Sequence, residues 1–204
     1  MSIKIKINQT EEIEYSSFDE LLELDNYDDI IFIKCSDMKL TSLPKLPNSL
    51  QKLWCWENKL TLLPKLPDSL LQLGCSHNKL TSLPKLPDSL QYLLCNCNYI
   101  TSLPELPNSL QELNCSYNKL TLLPDILPNS LHIIYCSYNK LISLPDKLPD
   151  SLQEIYCNWN KLTYLPNSII KCKNINNVYY DNNQIKYIPP HIADFLNKLP
   201  EYLF

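Results

Sequence analysis

Apolar residues recur along this chain in a frame of about twenty residues. One copy begins at Leu70, places Leu73, Cys75 and Leu80 at its fourth, sixth and eleventh positions, and has Asn78 at its ninth. The frame restarts at Leu50, Leu90, Leu110, Leu131 and Leu152, with weaker copies at Ile30 and Ile175. A fixed period of this size is typical of a solenoid, in which neighbouring copies stack and bury one continuous core.

Two segments within each copy predict its local structure. The alternation of Leu73 and Cys75 is the period of a β-strand, with both side chains on one face, so stacked copies form a parallel sheet. The second half of the copy has the pattern L-P-x-L-P-x-S, as in residues 83–89. Two prolines three residues apart exclude a regular helix and predict an extended, polyproline-like arm.

The two ends of the chain have different patterns, which predict caps. Residues 3–7 alternate as a short strand, and Ser17 with Glu20 is a capping box for a helix over residues 18–24. A second short helix is predicted over residues 191–199, after two prolines. The predicted organisation is an N-terminal cap at 1–29, eight repeats at 30–188 and a C-terminal cap helix at 189–204.

The repeated frame resembles leucine-rich repeats. The short L-P-x-L-P-x-S-L-x-x-L form is similar to the repeats of bacterial type III effectors and of giant-virus or amoebal proteins. The resemblance implies an α/β horseshoe solenoid with its parallel sheet on the concave face and little helix outside the caps. Effectors of that kind can carry a C-terminal ubiquitin-ligase domain, but only about sixteen residues follow Ile188, so we expect no such activity.

Composition narrows the class of partner and the location. The net charge is −4, and all 18 basic residues are lysines, so we expect no nucleic-acid partner. No stretch of eighteen apolar residues and no secretory signal occurs, so we expect no membrane association. We therefore expect an intracellular protein of the reducing cytoplasm, or of the host cytoplasm if the source is a virus or effector. Abundant Asn, Ile, Lys and Tyr suggest an AT-rich genome.

The nine cysteines do not form a metal-binding pattern. Seven of them occupy the sixth place of successive copies: Cys35, Cys55, Cys75, Cys95, Cys115, Cys136 and Cys157. These seven residues, the cysteine column, are predicted to be buried as small apolar side chains, because one thiol per strand is not the paired spacing of zinc sites. We expect no metal and no cofactor; a thiol-based metal-binding protein is the less favoured alternative.

Catalytic patterns are absent from the sequence. The three histidines, His77, His132 and His191, fall at unrelated positions of the frame and share no ligand spacing. The single glycine, Gly74, excludes glycine-rich phosphate loops, and no nucleophile–base motif occurs. We therefore expect no enzyme and assign no catalytic residue.

Aromatic residues concentrate at the positions that the frame leaves free. We expect the third, fifth, seventh and eighth places to lie on the open concave face. Large rings exposed together usually mark an interaction surface. The predicted partner-binding residues are Trp54, Trp56, His77, Tyr92, Tyr117, Tyr135, Tyr138, Tyr156, Trp159 and Tyr179. Two clusters stand out among them: one near the N-terminal end, Trp54 and Trp56, and one near the C-terminal end, Tyr135, Tyr138, Tyr156, Trp159 and Tyr179.

The favoured function is therefore a non-catalytic module that binds a protein partner of unknown identity through this face. The acidic residues nearby, Glu57, Glu112, Glu154 and Asp181, favour a partner with a basic rim. The alternative is a structural solenoid or a self-associating one such as a homodimer, in which neighbouring rings stack on one another and stabilise the sheet.

Overall fold

The computed structural model describes residues 2–8 and 11–200 of the chain. Its strands are β1 Ile3–Ile7, β2 Ile13–Tyr15, β3 Ile30–Lys34, β4 Lys52–Trp54, β5 Gln72–Gly74, β6 Tyr92–Leu94, β7 Glu112–Asn114, β8 Ile133–Tyr135, β9 Glu154–Tyr156 and β10 Asn177–Tyr179. Its helices are α1 Phe18–Leu22 and α2 Pro190–Leu196, with short 3-10 helices at Tyr27–Asp29 and Asn167–Lys171.

Strands β3 to β10 form one parallel sheet in the order of the sequence. The register pairs each place of the frame with the same place of the next copy, so that Leu53 lies opposite Leu73 and Leu73 opposite Leu93. In the described part of the chain, the segments between these strands hold no regular element except the 3-10 helix Asn167–Lys171. The predicted solenoid, with a parallel sheet and very little helix, is confirmed.

The N-terminal strands continue the sheet in the antiparallel sense. The predicted strand at residues 3–7 is present as β1, which pairs with both β3 and β2. Strand β2 was not predicted, because its three residues, Ile13–Tyr15, are too few for an alternating pattern to be recognised. An ion pair of 3.1 Å joins Lys4 to Glu14 across this hairpin.

The cap helices are present but shorter than predicted. Helix α1 ends at Leu22, two residues early, and its first turn is capped by the Ser17 hydroxyl, which accepts from the Glu20 N–H at 3.4 Å. Helix α2 ends at Leu196 rather than at residue 199; beyond it, the Lys198 and Leu199 N–H groups donate to the Phe195 and Leu196 carbonyls in tighter turns. Residues 201–204 of the predicted cap lie outside the described residues.

The frame residues form one continuous core. The first-, fourth- and eleventh-place side chains of the copy at Leu70 are almost fully buried, and the same holds for the copies on either side. Every member of the cysteine column is fully buried and free, as predicted. Cys172, which lies outside the column, is also buried.

The ninth-place asparagines join successive copies through backbone groups. The side-chain N–H groups of Asn78 donate to the carbonyls of Cys55 and Cys75 at 2.9 and 3.1 Å. Its side-chain oxygen accepts from the Leu60 N–H at 3.0 Å. Each asparagine therefore satisfies buried groups of its own copy and of the copy before it.

The serine that ends each arm makes a second connection between copies. The Ser89 hydroxyl lies 2.7 Å from the carbonyls of both Asp68 and Leu70, and Ser109 and Ser130 repeat this arrangement one and two copies later. These bonds to the preceding copy hold the arms at a fixed spacing.

Candidate functional site

The eighth place of every copy lies in a tight left-handed turn, not on a strand. All eight residues at this place have a positive φ, between 53° and 57°. The turn is fixed by bonds between copies: the Tyr117 N–H donates to the Ser137 carbonyl at 2.9 Å, and the Trp159 N–H to the Asp181 carbonyl at 2.9 Å. Our prediction that strand alternation carries this place onto the sheet face was wrong, because the strands end three places earlier.

Three aromatic residues at this turn stack on one another. Tyr117 and Tyr138 have ring centroids 4.2 Å apart and planes 9° apart, and Tyr138 and Trp159 follow at 5.4 Å and 10°. We call these residues the eighth-place stack. Tyr117 and Trp159 keep about half of their surface exposed, 51% and 48%. The stack therefore presents ring edges in a row along the rim of the sheet.

A second stack runs along the sheet itself. Tyr135, Tyr156 and Tyr179, which occupy the fifth place of β8, β9 and β10, have successive centroid distances of 4.7 and 4.6 Å. We call them the fifth-place stack. All three are half-buried because each ring covers its neighbour. The predicted C-terminal cluster thus consists of two separate rows, and Tyr117 belongs to one of them.

The N-terminal aromatic cluster has a different geometry. Phe32 meets Trp54 edge to face at 5.1 Å, and Trp54 lies 5.2 Å from Trp56. The Trp56 ring lies over Gly74, where a Cβ atom would come within 3.1 Å of it. The only glycine of the chain therefore gives the Trp56 ring room to lie against the backbone of the next strand.

The two remaining predicted residues lie between these groups. His77 is exposed at the eighth place of the copy that contains β5. Tyr92 is half-buried at the third place, and its hydroxyl donates to the Gln111 side chain at 3.2 Å. Neither has a ring contact within the described residues, so neither belongs to a stack.

Acidic groups border the fifth-place stack. Glu154 accepts a hydrogen bond of 2.9 Å from the Tyr156 hydroxyl, and burial, followed by this bond, raises the pKa of Tyr156. Burial and then the charges of Glu154 and Glu112 raise the pKa of Tyr135. Burial and then the charge of Glu154 raise the pKa of Glu112. The two carboxylates therefore lie close enough to each other and to Tyr135 to interact electrostatically.

The buried thiols of the cysteine column are not suited to catalysis or to metal binding. Burial raises the pKa of Cys35, Cys95 and Cys157 to about 12, so these thiols stay protonated and are poor nucleophiles and poor metal ligands. Within residues 2–8 and 11–200, no group of three or more His, Cys, Asp or Glu side chains is arranged to hold a metal ion. Cys97, at the eighth place, is the one half-exposed cysteine.

No helix in the described part of the chain is both long enough and apolar enough to span a bilayer.

Comparison with known proteins places the fold in a family. The family model described as Leucine Rich Repeat matches residues 109–129, which is one copy of the frame. Comparison with curated proteins gives no match. The chain is similar to YopM, a leucine-rich effector protein from Yersinia pestis, at 36% identity and a TM-score of 0.65. That similarity covers 76% of this chain and 50% of YopM, so the chain spans about half of the YopM length.

Two further solved structures extend the comparison. The leucine-rich-repeat domain of a Shigella effector is 31% identical with a TM-score of 0.68, over 81% of this chain and 74% of that domain. The functional domain of InlJ from Listeria monocytogenes, which includes a cysteine ladder, is 28% identical with a TM-score of 0.66, over 88% of this chain and 39% of that one. The chain therefore belongs to the leucine-rich-repeat family, and its repeats resemble those of bacterial effectors.

Proposed function

We propose that this chain is a non-catalytic protein–protein interaction module that binds a protein partner through the aromatic residues on the face of its sheet and along the rim beside it. The observation that carries the proposal is the eighth-place stack, which consists of large, half-exposed rings at a turn that favours other residues. Rings of this kind supply much of the affinity at protein interfaces, because they bury a large area with little loss of rotamer freedom.

The backbone at the eighth place supports this assignment. A left-handed conformation costs roughly 1–2 kcal/mol for most residues, whereas Gly adopts it freely and Asn and Asp adopt it more readily than others. The first and last copies have Asp37 and Asn182 there, and the six copies between them have Glu57, His77, Cys97, Tyr117, Tyr138 and Trp159. Each ring contact contributes about 0.5–1.5 kcal/mol. Stacking therefore offsets part of the strain at these three places, and the exposed part of each ring is left for a partner.

The second candidate is a structural or self-associating solenoid, favoured by the ring stacking itself. The fifth-place stack lies on ordinary strand backbone and is half-buried, so stacking there stabilises the sheet without strain. A homodimer formed through the open face would also use these rings. Sedimentation over a hundredfold range of protein concentration separates a monomeric binder from a self-associating chain.

We infer that the protein works in a reducing compartment, because all nine cysteines are free thiols. The cytoplasm of the source cell, or of a host if the source is a virus or a bacterial effector, fits this chemistry. We assign no catalytic step to the chain, since the buried thiols and the scattered histidines supply no nucleophile–base pair.

The test is a joint substitution of Trp54, Tyr156 and Trp159 by Ala, followed by capture from an extract of the native cell. We expect the variant to keep its circular dichroism spectrum and to lose the proteins that the wild type captures. The frame offers a matched control: Leu62, Leu122 and Tyr164 are exposed at the thirteenth place, outside the open face. The same three-residue change to Ala at those positions leaves capture intact.

The proposal fails if the control variant and the open-face variant capture the same set of proteins. It also fails if the wild type captures nothing and sediments as a dimer that the open-face substitutions dissociate, because the rings then join two copies of the chain.

A further inference from the structure

The tenth place of the frame carries a row of exposed lysines, one in each of six copies. They are Lys39, Lys59, Lys79, Lys119, Lys140 and Lys161, and we call them the lysine row. The backbone at this place is bonded from copy to copy: the Lys140 N–H donates to the Leu120 carbonyl, and the Lys161 N–H to the Leu141 carbonyl, both at 2.9 Å. The lysines therefore follow one another along one rim of the solenoid at about the spacing of the strands, roughly 4.8 Å.

The eighth-place stack lies on the same rim as this row. Asn118 is buried, whereas the residues on either side of it, Tyr117 and Lys119, are both exposed. The same arrangement recurs two copies later, where Asn160 is buried between the exposed Trp159 and Lys161. Three rings and three lysines are thus exposed side by side, and we call them the basic–aromatic rim: Tyr117, Lys119, Tyr138, Lys140, Trp159 and Lys161.

The lysines of the basic–aromatic rim have no carboxylate partner in the part of the chain that the structure describes. The ion pairs of residues 2–8 and 11–200 lie in the N-terminal hairpin. Lys119 instead lies over the Tyr99 ring, 4.6 Å from its centroid. Like charges that follow one another at about 5 Å repel, and an anion laid along the row would relieve that repulsion.

Positive charge is least compensated at the C-terminal half of the rim. In the first two copies the eighth place has Asp37 and Glu57, two residues from the lysines of the row. At the seventh to tenth places of the last four copies, three lysines stand against a single carboxylate, Asp181. Glu112 and Glu154 begin β7 and β9, whereas the rim follows the ends of these strands. The basic–aromatic rim is therefore locally positive on a chain whose net charge is −4.

The rings of the rim favour an anion as well. Tyr117, Tyr138 and Trp159 cover one another's faces, so the exposed part of the stack is mainly ring edge. The edge of an aromatic ring carries partial positive charge, and the O–H and N–H donors of Tyr and Trp also lie there.

The same stacking favours a polypeptide over a nucleic acid as the anion. Bases of a single strand bind by stacking on free ring faces, and both faces of Tyr138 are covered by its neighbours. An acidic polypeptide segment requires only cations and donors along its path, which the rim supplies.

We propose that the basic–aromatic rim is the docking surface for an extended acidic segment of the protein partner. This inference rests on the proposed function, because it names the chemistry of the partner that the module binds. Carboxylates on one side of an extended segment are about 7 Å apart, which flexible lysine side chains spaced by about 4.8 Å can follow. The segment runs along the row from Lys119 to Lys161, across the direction of the strands.

An acetylated and amidated peptide of four Glu-Ser repeats tests this surface without any cellular partner. In an NMR titration of the full chain at low ionic strength, we expect saturable shifts of the Trp159 indole N–H signal, with a Kd on the order of millimolar. The signals of Trp54 and Trp56 should not move. The matched peptide of four Gln-Ser repeats lacks the charges, and we expect it to bind at least about tenfold more weakly. Sodium chloride at about 0.5 M should weaken the acidic peptide, because it screens exposed charges.

Two triple variants with the same change in net charge locate the binding site. The rim variant replaces Lys119, Lys140 and Lys161 by Gln, and the control replaces Lys45, Lys65 and Lys85, which are exposed on the arms, by Gln. We expect the rim variant to bind the acidic peptide at least about tenfold more weakly and the arm variant to stay within about twofold of wild type. Both variants should keep the circular dichroism spectrum of the wild type, because all six side chains are exposed.

Equal weakening by the rim and arm variants overturns the docking surface, because net charge alone then governs binding. Equal binding of the Glu-Ser and Gln-Ser peptides overturns it as well. Tighter binding of an eight-nucleotide thymidine strand than of the acidic peptide overturns the assignment to a protein segment. If the acidic peptide does not bind while the aromatic substitutions abolish cellular capture, the docking surface fails and the proposed function stands. If the peptide binds at the rim while capture is unchanged, the proposed function fails and the affinity of the rim for acidic segments stands.

Discussion

The side-chain amide of Asn98 donates a hydrogen bond of 3.0 Å to the backbone carbonyl of Cys75, which belongs to the preceding copy. The same amide donates to the Cys95 carbonyl at 3.1 Å, and its oxygen accepts from the Leu80 N–H at 3.0 Å. A single side chain therefore satisfies three buried backbone groups, which apolar packing could not do.

Replacing Asn98 by Ala should lower the free energy of unfolding by about 2–4 kcal/mol, because it leaves these buried groups without partners. Urea unfolding followed by circular dichroism measures the change. Asn108→Ala is the matched control, since Asn108 is exposed in the arm, and we expect it to stay within about 0.5 kcal/mol of wild type. Equal effects of the two substitutions would contradict the structural role of the ninth place.

The buried cysteine column predicts a steep loss of stability in alkali. Burial raises the pKa of Cys95 to about 12, whereas an unfolded thiol ionises near 9.0. Above pH 9 the unfolded chain therefore binds fewer protons than the folded chain, and the free energy of unfolding falls as pH rises. Each such thiol contributes about 1.4 kcal/mol per pH unit between the two pKa values.

The joint substitution of Cys75, Cys95 and Cys115 by Ala should reduce this slope by about 4 kcal/mol per pH unit between pH 9.5 and 11. Urea unfolding at a series of pH values measures the slope. Between pH 6 and 7.5 the column thiols are protonated in both states, so the variant and the wild type should there share the same pH dependence. An unchanged alkaline slope would mean that the column ionises in the folded protein.

Because the backbone at Tyr138 is left-handed, we expect this position to accept Asn at a smaller cost in stability than Val. Tyr138 has a φ of 55°, and both Tyr138→Asn and Tyr138→Val remove its ring contacts with Tyr117 and Trp159. Asn adopts this conformation readily, whereas a β-branched side chain is strained in it by about 1–3 kcal/mol. Tyr138→Val should therefore be less stable than Tyr138→Asn by that amount in thermal or urea unfolding. Equal stabilities would show that the backbone at this turn relaxes.

The packing of Trp56 on Gly74 predicts that a larger side chain at position 74 displaces the Trp56 ring. A Cβ at Gly74 would lie 3.1 Å from the Trp56 ring and 3.4 Å from Trp54, so Gly74→Val should push Trp56 away from the sheet. We expect a red shift of tryptophan emission and a change in the Trp56 indole N–H signal, with native strand content retained. Leu94→Val, at the fifth place of the next strand, is the control and should leave both signals unchanged. Unchanged Trp56 signals in Gly74→Val would contradict the packing of this ring on Gly74.

The parts of the fold that depend on periodicity could be predicted from the sequence. The strand register, the burial of the cysteine column and the pairing of the ninth-place asparagines all follow from a single repeated arrangement, so errors at one copy are corrected by the others. Strand β2 and the ends of α1 and α2 could not be predicted as well. They occur once each, and tertiary contacts rather than a repeated pattern fix their limits.

The candidate site, too, could be predicted from the sequence only in part. The sequence indicated which aromatic residues the core does not use, among them Tyr135 and Trp159. It did not separate the fifth-place stack from the eighth-place stack, because the change from strand to left-handed turn depends on hydrogen bonds between copies. It also gave no sign that Gly74 accommodates Trp56, since that contact joins different strands.

The sequence by itself determined that this chain is a leucine-rich-repeat solenoid, because apolar positions at a fixed period leave stacking as the one way to bury them. Only the tertiary structure decided how the free positions meet. Residues about twenty apart in the chain become neighbours across strands about 4.8 Å apart, and at that spacing rings stack and the charges of Glu112 and Glu154 interact. Sequence distance carries no information on these contacts until the register of the sheet is known.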